Sequence, residues 1–161
     1  MASNRTVVLK RIATAAVEAE KRTGCPAELS TAQCILESGW LAHAPRNNCF
    51  GIKDTDRYPG SQYLMTKGRA WKTERAAFEV YDSLEDCFED HAKLITGGFG
   101  EKPNAYAPAF RQYQLTKNLE DFITEIAPIY AEDSEYESKI MELIRHPTVI
   151  DAIKQAREQH G

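Results

Sequence analysis

Hydrophobic residues recur at helical spacing along most of this chain. In residues 5–22, for example, Val8, Ile12 and Ala15 follow one another every three or four positions, which places their side chains on one face of an α-helix. A capping-box pattern, Ser30-Thr31-Ala32-Gln33, predicts a second helix that ends near Ser38. The same periodicity predicts helices from Ser83 to Gly97, over 118–130, after Asp133-Ser134 to about 144, and over 148–159. The chain is therefore predicted to be mainly α-helical.

The helical pattern is interrupted once, in the first half of the chain. Residues 61–66 and 71–81 are rich in aromatic and β-branched residues and flank Lys67-Gly68-Arg69, an arrangement typical of a β hairpin. No internal repeat, low-complexity tract or linker divides the chain. We therefore predict that residues 1–161 form a single domain, mainly α with a small inserted β hairpin and a C-terminal helix at about 148–159.

Size and charge exclude several classes of function. With 161 residues, of which 42% are hydrophobic, the chain is long enough to bury a core. Its net charge of −4 argues against a nucleic-acid partner, because phosphate binding usually requires a basic surface. No apolar run reaches the roughly 20 residues that span a bilayer. Val7-Val8-Leu9 is followed at once by Lys10 and Arg11, so no cleavable signal peptide is expected and the export route stays open.

The four cysteines, Cys25, Cys34, Cys49 and Cys87, form no CxxC pair. A zinc site is therefore not expected, and we predict that the protein uses neither a metal nor another cofactor. Cys34 and Cys87 fall on apolar helical stripes and are interpreted as small core residues. The sequence assigns no disulfide pairing, and nothing in it requires more than a monomer.

The strongest candidate for chemistry is Glu37, at the end of a predicted helix and just before Gly39 and Trp40. The carbonyl end of a helix is partially negative and apolar neighbours desolvate a carboxylate, so both effects raise the pKa of such a carboxyl. Glycoside hydrolysis needs a carboxyl that is still protonated near neutral pH, because it must protonate the departing oxygen. Glu37 is therefore a candidate general acid, and Trp40 a stacking face for a sugar ring. The alternative is a solvated glutamate at a helix end.

Several motifs accompany Glu37 in a characteristic order. They are Ala32-Gln33, Leu36-Glu37-Ser38-Gly39-Trp40, Asn47-Asn48-Cys49-Phe50-Gly51-Ile52-Lys53, Phe78-Glu79-Val80-Tyr81-Asp82-Ser83, Asp90-His91, Asn104-Ala105-Tyr106-Ala107 and Ile129-Tyr130-Ala131-Glu132-Asp133-Ser134-Glu135-Tyr136. Together, over about residues 5–145, they resemble the glucosaminidase family of peptidoglycan hydrolases. Cys49 replaces the leucine that is usual in that family's asparagine-rich loop.

The resemblance implies a lysozyme-like fold and cleavage of the β-1,4 bond between N-acetylglucosamine and N-acetylmuramic acid in peptidoglycan glycan strands. Action at the cell wall, periplasmic or extracellular, follows from that substrate. Glu37 is then the general acid, and Tyr106 orients the N-acetyl group or the attacking water from a surface loop flanked by prolines. The residues expected at the substrate are Trp40, Asn48, Phe50, Lys53 and Tyr130. For Phe50 and Tyr136, a place in the core is the favoured interpretation.

One departure from the family concerns the second carboxyl. The family often carries a hairpin acid in a threonine-x-glutamate setting, whereas Leu64 to Trp71 contains no acid here. Glu74 is the nearest acid on the hairpin and our candidate for the second catalytic group, ahead of Asp54 and Asp56. Three mechanisms stay open: a displaced acid activates water in an inverting reaction, the substrate's own N-acetyl oxygen attacks, or the protein is slow or inactive and binds glycan.

The remaining polar residues favour structural interpretations. His91 lies on an apolar helical stripe and is expected to be a core histidine. The acidic residues of the same helix are expected to form a solvated face: Glu85, Asp86, Glu89 and Asp90. Two alternatives to a glucosaminidase remain, namely a muramidase or lytic transglycosylase on the same fold, and a non-catalytic glycan-binding module.

Overall fold

The computed structural model describes residues 4–53, 62–67, 73–97 and 105–160. Within these ranges the predicted fold class, mainly α with a small inserted hairpin, is confirmed. The elements are α1 (Asn4–Thr23), α2 (Ala27–Ser38), a short 3-10 helix (Pro45–Asn47), β1 (Gln62–Lys67), β2 (Thr73–Phe78), α3 (Leu84–Gly97), α4 (Ala107–Thr116), α5 (Leu119–Tyr130), α6 (Tyr136–Arg145) and α7 (Pro147–His160).

Helix α2 lies at the centre of the helical core and packs against α1, α3, α6 and α7. Most of its faces are buried, which small side chains make possible because they let neighbouring helices approach closely. These small buried residues are Ala27, Ser30, Thr31, Ala32, Cys34 and Ser38. The helix that ends at Glu37 and Ser38 is therefore held on several sides.

The predicted start of α2 is wrong. The helix begins at Ala27, and the supposed capping residues Ser30 and Thr31 are buried inside it. The helix is capped instead by α1, because the Ala27 N–H donates to Oε1 of Glu20 at 3.0 Å. A carboxylate at this end also interacts favourably with the helix dipole. Such a cap comes from a residue on another helix, so no local sequence pattern reveals it.

The hairpin is shorter than the sequence predicts. The pattern extends the second strand to residue 81, whereas β2 ends at Phe78 after pairing antiparallel with β1. Beyond that point, Glu79 N donates to Ile52 O at 2.9 Å. Likewise, Tyr81 N donates to Arg46 O at 3.1 Å. Residues 79–81 thus hold the loop that follows α2, and they stay extended without belonging to the hairpin.

Helix α4 is not predicted by the sequence pattern. Ala109 and Phe110 are its buried residues, so its apolar stripe is too narrow to stand out as a helical period. Pro108 lies in the first turn, where a helix tolerates proline. Tyr106 is the residue that precedes this helix and is 7% exposed. The predicted surface-loop position of Tyr106 is therefore wrong.

Helix α7 is attached to the rest of the fold by a charged side chain. Arg157 Nη2 donates to Oε1 of Glu20 at 2.6 Å and to Oε1 of Glu28 at 2.6 Å. These bonds join α7 to the first two helices near the α2 cap.

The four cysteines are buried free thiols, as expected for Cys34 and Cys87. Over the described part of the chain, no helix combines the length and apolarity that crossing a membrane requires.

Candidate active site

Glu37 lies in the last turn of α2 and is exposed to solvent. Even so, the surrounding protein desolvates its carboxyl enough to raise the pKa above the ordinary value. The nearby hydroxyl of Tyr136 offsets part of this rise in pKa, because a hydroxyl dipole beside a carboxylate favours the charged form. A carboxyl that is accessible and yet keeps its proton to higher pH is suited to protonating a substrate oxygen.

The chain reverses direction directly after Glu37 through a strained turn. Gly39, Trp40 and Leu41 have φ values of 57°, 60° and 67°, in the left-handed region that side chains other than glycine disfavour at a cost of roughly 1–3 kcal/mol each. The turn is held by Ser38, whose hydroxyl accepts from Leu41 N at 2.9 Å. Backbone strain of this kind is concentrated at functional sites. The turn leaves the Trp40 ring partly buried, with the guanidinium of Arg5 4.7 Å from its centroid.

Three tyrosines from separate elements lie close to one another, and two of them, Tyr130 and Tyr136, lie near Glu37. Tyr130, at the end of α5, stacks on Tyr136 with ring centroids 5.6 Å apart and lies 6.4 Å from the ring of Tyr106. Burial is the main cause that raises the pKa of all three hydroxyls, to about 12 for Tyr106. The Glu37 charge contributes to the raised pKa of Tyr130 and Tyr136. The structure therefore brings these two tyrosines and Glu37 together, and the hydroxyls stay protonated near neutral pH.

The loop after α2 is built by Asn48, which is 3% exposed. Its Nδ2 donates to Ile52 O at 2.9 Å and to Glu79 O at 3.0 Å, while its Oδ1 accepts from Ile52 N at 3.0 Å. These bonds satisfy backbone groups, so Asn48 shapes the loop beneath the site. Phe50 is buried as the core interpretation expects, and its ring stacks on His91 at 3.8 Å between centroids.

The remaining predicted site residues lie around the hairpin. Lys53 is exposed, and its backbone forms an isolated bridge with Phe78. Glu74 pairs with Thr66 in the hairpin register, but its side chain lies outside the described part of the structure. Asp54 and Asp56 also lie outside the described residues. Among the residues that are described, no group of three or more His, Cys, Asp or Glu could hold a metal ion.

Sequence reasoning missed two buried polar pairs beside the site. His91 is buried, which confirms its assignment to the core, and its Nε2 lies 2.7 Å from Oε1 of Gln33. The sequence pattern places Asp90 on a solvated face, but this residue is 0% exposed and accepts a 2.5 Å hydrogen bond from the Tyr81 hydroxyl. That expectation for Asp90 is therefore wrong. The available signal for the first pair is that Gln33 and His91 both fall on helix faces that carry apolar residues, such as Leu29 and Ile95.

A mainly helical fold with an inserted hairpin, and an exposed carboxyl with a raised pKa at the end of a central helix, are typical of a lysozyme-like glycoside hydrolase domain. The sequence profile of the glucosaminidase family, described as mannosyl-glycoprotein endo-beta-N-acetylglucosaminidase, matches residues 13–148. The chain therefore belongs to the glucosaminidase family.

Curated relatives carry the names of an N-acetylmuramidase and of a peptidoglycan hydrolase. A probable N-acetylmuramidase of Lactococcus lactis subsp. cremoris is 32% identical over 148 residues, covering 86% of this chain and 32% of that protein. The peptidoglycan hydrolase FlgJ of Pseudomonas aeruginosa is 32% identical over 154 residues, covering 88% of this chain and 36% of that protein. The chain thus spans about a third of the length of these relatives.

Solved structures show the same fold. The catalytic domain of the autolysin Auto from Listeria monocytogenes superposes with a TM-score of 0.75 at 26% identity, covering 94% of this chain and 90% of that one. The glycoside hydrolase domain of Salmonella typhimurium FlgJ superposes with a TM-score of 0.69 at 24% identity, covering 98% and 94%. The predicted lysozyme-like class is confirmed.

Proposed function

We propose that this domain hydrolyses peptidoglycan at the β-1,4 bond between N-acetylglucosamine and N-acetylmuramic acid, with Glu37 as the general acid. The observation that carries the proposal is the combination of exposure and raised pKa at Glu37. An exposed carboxyl with an ordinary pKa is ionised at neutral pH and has no proton to give. Membership of the family and the names of the relatives support the substrate class.

The proposed reaction begins with proton transfer. The Glu37 carboxyl gives its proton to the glycosidic oxygen while the bond from that oxygen to the anomeric carbon breaks. The developing positive charge on the sugar ring is then quenched by water or by the substrate's N-acetyl oxygen. Tyr106 and Tyr130 are the proposed partners of the reacting sugar, because their protonated hydroxyls can donate to an N-acetyl carbonyl or orient a water.

The bond that is cleaved can be identified from the products. We expect digestion of purified peptidoglycan, followed by borohydride reduction and mass spectrometry, to give fragments that end in reduced N-acetylglucosamine. A muramidase is the second candidate, because one relative is named a probable N-acetylmuramidase. It leaves reduced N-acetylmuramic acid instead, and a lytic transglycosylase leaves anhydro-muramic ends. Intact peptidoglycan that still sediments with the protein identifies a glycan-binding module.

The second catalytic group is proposed to be Glu74. If this carboxylate activates the attacking water, Glu74→Gln lowers the rate of glycan cleavage by about 10²-fold, measured as new reducing ends per unit time. Glu85→Gln, an exposed acid on α3, is the matched control and keeps the wild-type rate. Undiminished cleavage by Glu74→Gln removes Glu74 from the mechanism and favours attack by the N-acetyl oxygen, with Tyr106 as the orienting group.

The biological setting proposed for the domain follows from its substrate. Peptidoglycan glycan strands are the proposed partner, and the cell wall is the proposed place of action. Nothing in the described site requires a second copy of the chain, so a monomer stays our prediction. Sedimentation of the purified protein at micromolar concentration tests the monomer directly.

A further inference from the structure

Two cysteines that are far apart in the sequence touch inside the core. Cys49 lies in the loop after α2, and Cys87 lies in the first turn of α3, 38 positions further along the chain. Their Sγ atoms are 3.7 Å apart, and both residues are almost completely buried free thiols. A buried cysteine usually behaves as a small apolar residue. Two thiols in contact are, in addition, the reactants of a disulfide bond.

The contact between the two sulfurs is part of a longer contact between the loop and α3. The next residue of the loop, Phe50, packs edge-on against Phe88 with ring centroids 4.9 Å apart, and it stacks on His91 at 3.8 Å. On the other side of Cys49, the side chain of Asn48 makes three hydrogen bonds to backbone groups. The backbone on both sides of Cys49 is therefore held against α3 before any bond joins the sulfurs.

A disulfide bond between these residues requires only a local movement. Bonded sulfurs are about 2.05 Å apart, so the observed separation must shorten by roughly 1.6 Å. Rotation about the Cα–Cβ bonds of the two cysteines moves each sulfur without moving the backbone. Cys49 also lies outside any helix or strand, so a small backbone shift there disturbs no regular element. The two thiols are therefore within reach of one another.

Resting on the action at the cell wall proposed above, we propose that Cys49 and Cys87 form a disulfide bond when the chain folds in an oxidising compartment, and that this bond ties the loop beneath the site to α3. Compartments outside the cytosol favour disulfides, whereas the cytosol keeps thiols reduced. The segment that the bond closes contains both strands of the hairpin. Closing it restricts the unfolded chain and so stabilises the folded one.

The oxidant is a small disulfide such as oxidised glutathione, or the disulfide of a thiol oxidoreductase. The thiolate of one cysteine attacks this disulfide, forms a mixed disulfide and releases one thiol of the oxidant. The thiolate of the other cysteine then attacks the protein sulfur of the mixed disulfide, which forms the bond between Cys49 and Cys87 and releases the second thiol. Two protein thiols are thereby oxidised while one disulfide is reduced to two thiols, so hydrogens and electrons balance.

Burial decides the stage at which this exchange takes place. The thiolate is the reacting form of cysteine, and burial raises the pKa of the Cys49 thiol. The folded protein also closes both residues of the pair to an oxidant. In the unfolded chain the same thiols are accessible and have an ordinary pKa of about 8.5. The bond is therefore expected to form as the chain folds, and its test starts from unfolded protein.

The test is a peptide map of protein that has been reduced, unfolded in urea and refolded in a mixture of reduced and oxidised glutathione. Trypsin leaves Cys49 in peptide 47–53 and Cys87 in peptide 76–93. We expect mass spectrometry to find these two peptides joined, with two hydrogens fewer than the separate peptides, and dithiothreitol to separate them. The other two cysteines share peptide 23–46, so any other pairing gives a different mass. If the chain does not refold from urea, protein exported to a bacterial periplasm is mapped in the same way.

The bond is also expected to raise the melting temperature. The crosslinked wild type should melt roughly 5–10 °C above the same protein in dithiothreitol. Cys49→Ala cannot form the bond, so its melting temperature should not respond to the reductant. Cys25→Ala is the matched control, because it removes another buried thiol and should retain the full response. If Cys49→Ala does not fold, Cys87→Ala replaces it.

Three results would overturn the proposal. They are a map without the link between peptides 47–53 and 76–93, a link that joins peptides 23–46 and 47–53 in its place, and a crosslinked wild type that melts no higher than the reduced protein. None of these measurements uses glycan. A crosslinked protein that fails to cleave peptidoglycan therefore contradicts the function proposed above and leaves the disulfide bond established.

Discussion

Glu37→Gln is expected to lower the rate of peptidoglycan cleavage by about 10²-fold or more. Glutamine keeps the size and shape of the side chain, but its amide cannot give a proton to a leaving oxygen. The rate is measured as release of reducing ends from purified wall at pH 6 to 8. For the wild type, activity should fall as the pH rises through the raised pKa of Glu37, because the acid form is then lost.

The folded state provides the control for this experiment. The ionised carboxyl of Glu37 is disfavoured by its surroundings, so Glu37→Gln should unfold at the same temperature as the wild type at pH 7, or slightly higher. Glu158→Gln changes an exposed acid on α7, outside the family match, and should retain full activity. A stable Glu37→Gln protein that cleaves at the wild-type rate would falsify the assignment of Glu37 as the general acid.

Acid is expected to destabilise the wild type through His91. The pKa of this ring is lowered by burial from 6.5 to about 3. The unfolded chain therefore binds a proton below about pH 6.5 that the folded chain refuses until about pH 3. Within that window the free energy of unfolding should fall by about 1.4 kcal/mol for each unit of pH lost. Above pH 6.5 the ring is neutral in both states, and its contribution is fully present.

Urea unfolding of wild type and His91→Gln between pH 7 and 4.5 measures this effect. Glutamine can still donate to Gln33 but cannot ionise, so the variant should lose less free energy of unfolding per pH unit than the wild type does. Both proteins share the carboxylates that also respond to acid, so the difference between their slopes isolates His91. His43→Gln removes an exposed imidazole and should retain the wild-type slope. Parallel curves for wild type and His91→Gln would contradict the expectation.

The described site shows which kinds of residue sequence reasoning can find. Glu37 is a candidate from the sequence because of its place at the end of a short helix before a glycine turn and because of the motifs that resemble the glucosaminidase family, and all of these are local features. The sequence places Gln33 in a capping box and His91 in the core. It does not predict the hydrogen bond between them, because that bond joins residues 58 positions apart. The burial of Asp90 is not predicted either. Its partner Tyr81 lies outside the helix, before α3 begins, so the helical pattern gives no sign of the hydrogen bond between them.

The sequence alone determined the helical class, the position of the hairpin and the candidate general acid. Hydrophobic periodicity along α1, α3, α5, α6 and α7 is a property of neighbouring residues, so it can be seen without the fold. Only the tertiary structure decided the start of α2, the existence of α4 and the burial of Tyr106. The cap of α2 is a carboxylate of α1, and α4 is held by few buried residues. Each of these features depends on contacts between distant parts of the chain, which packing creates and local sequence patterns do not encode.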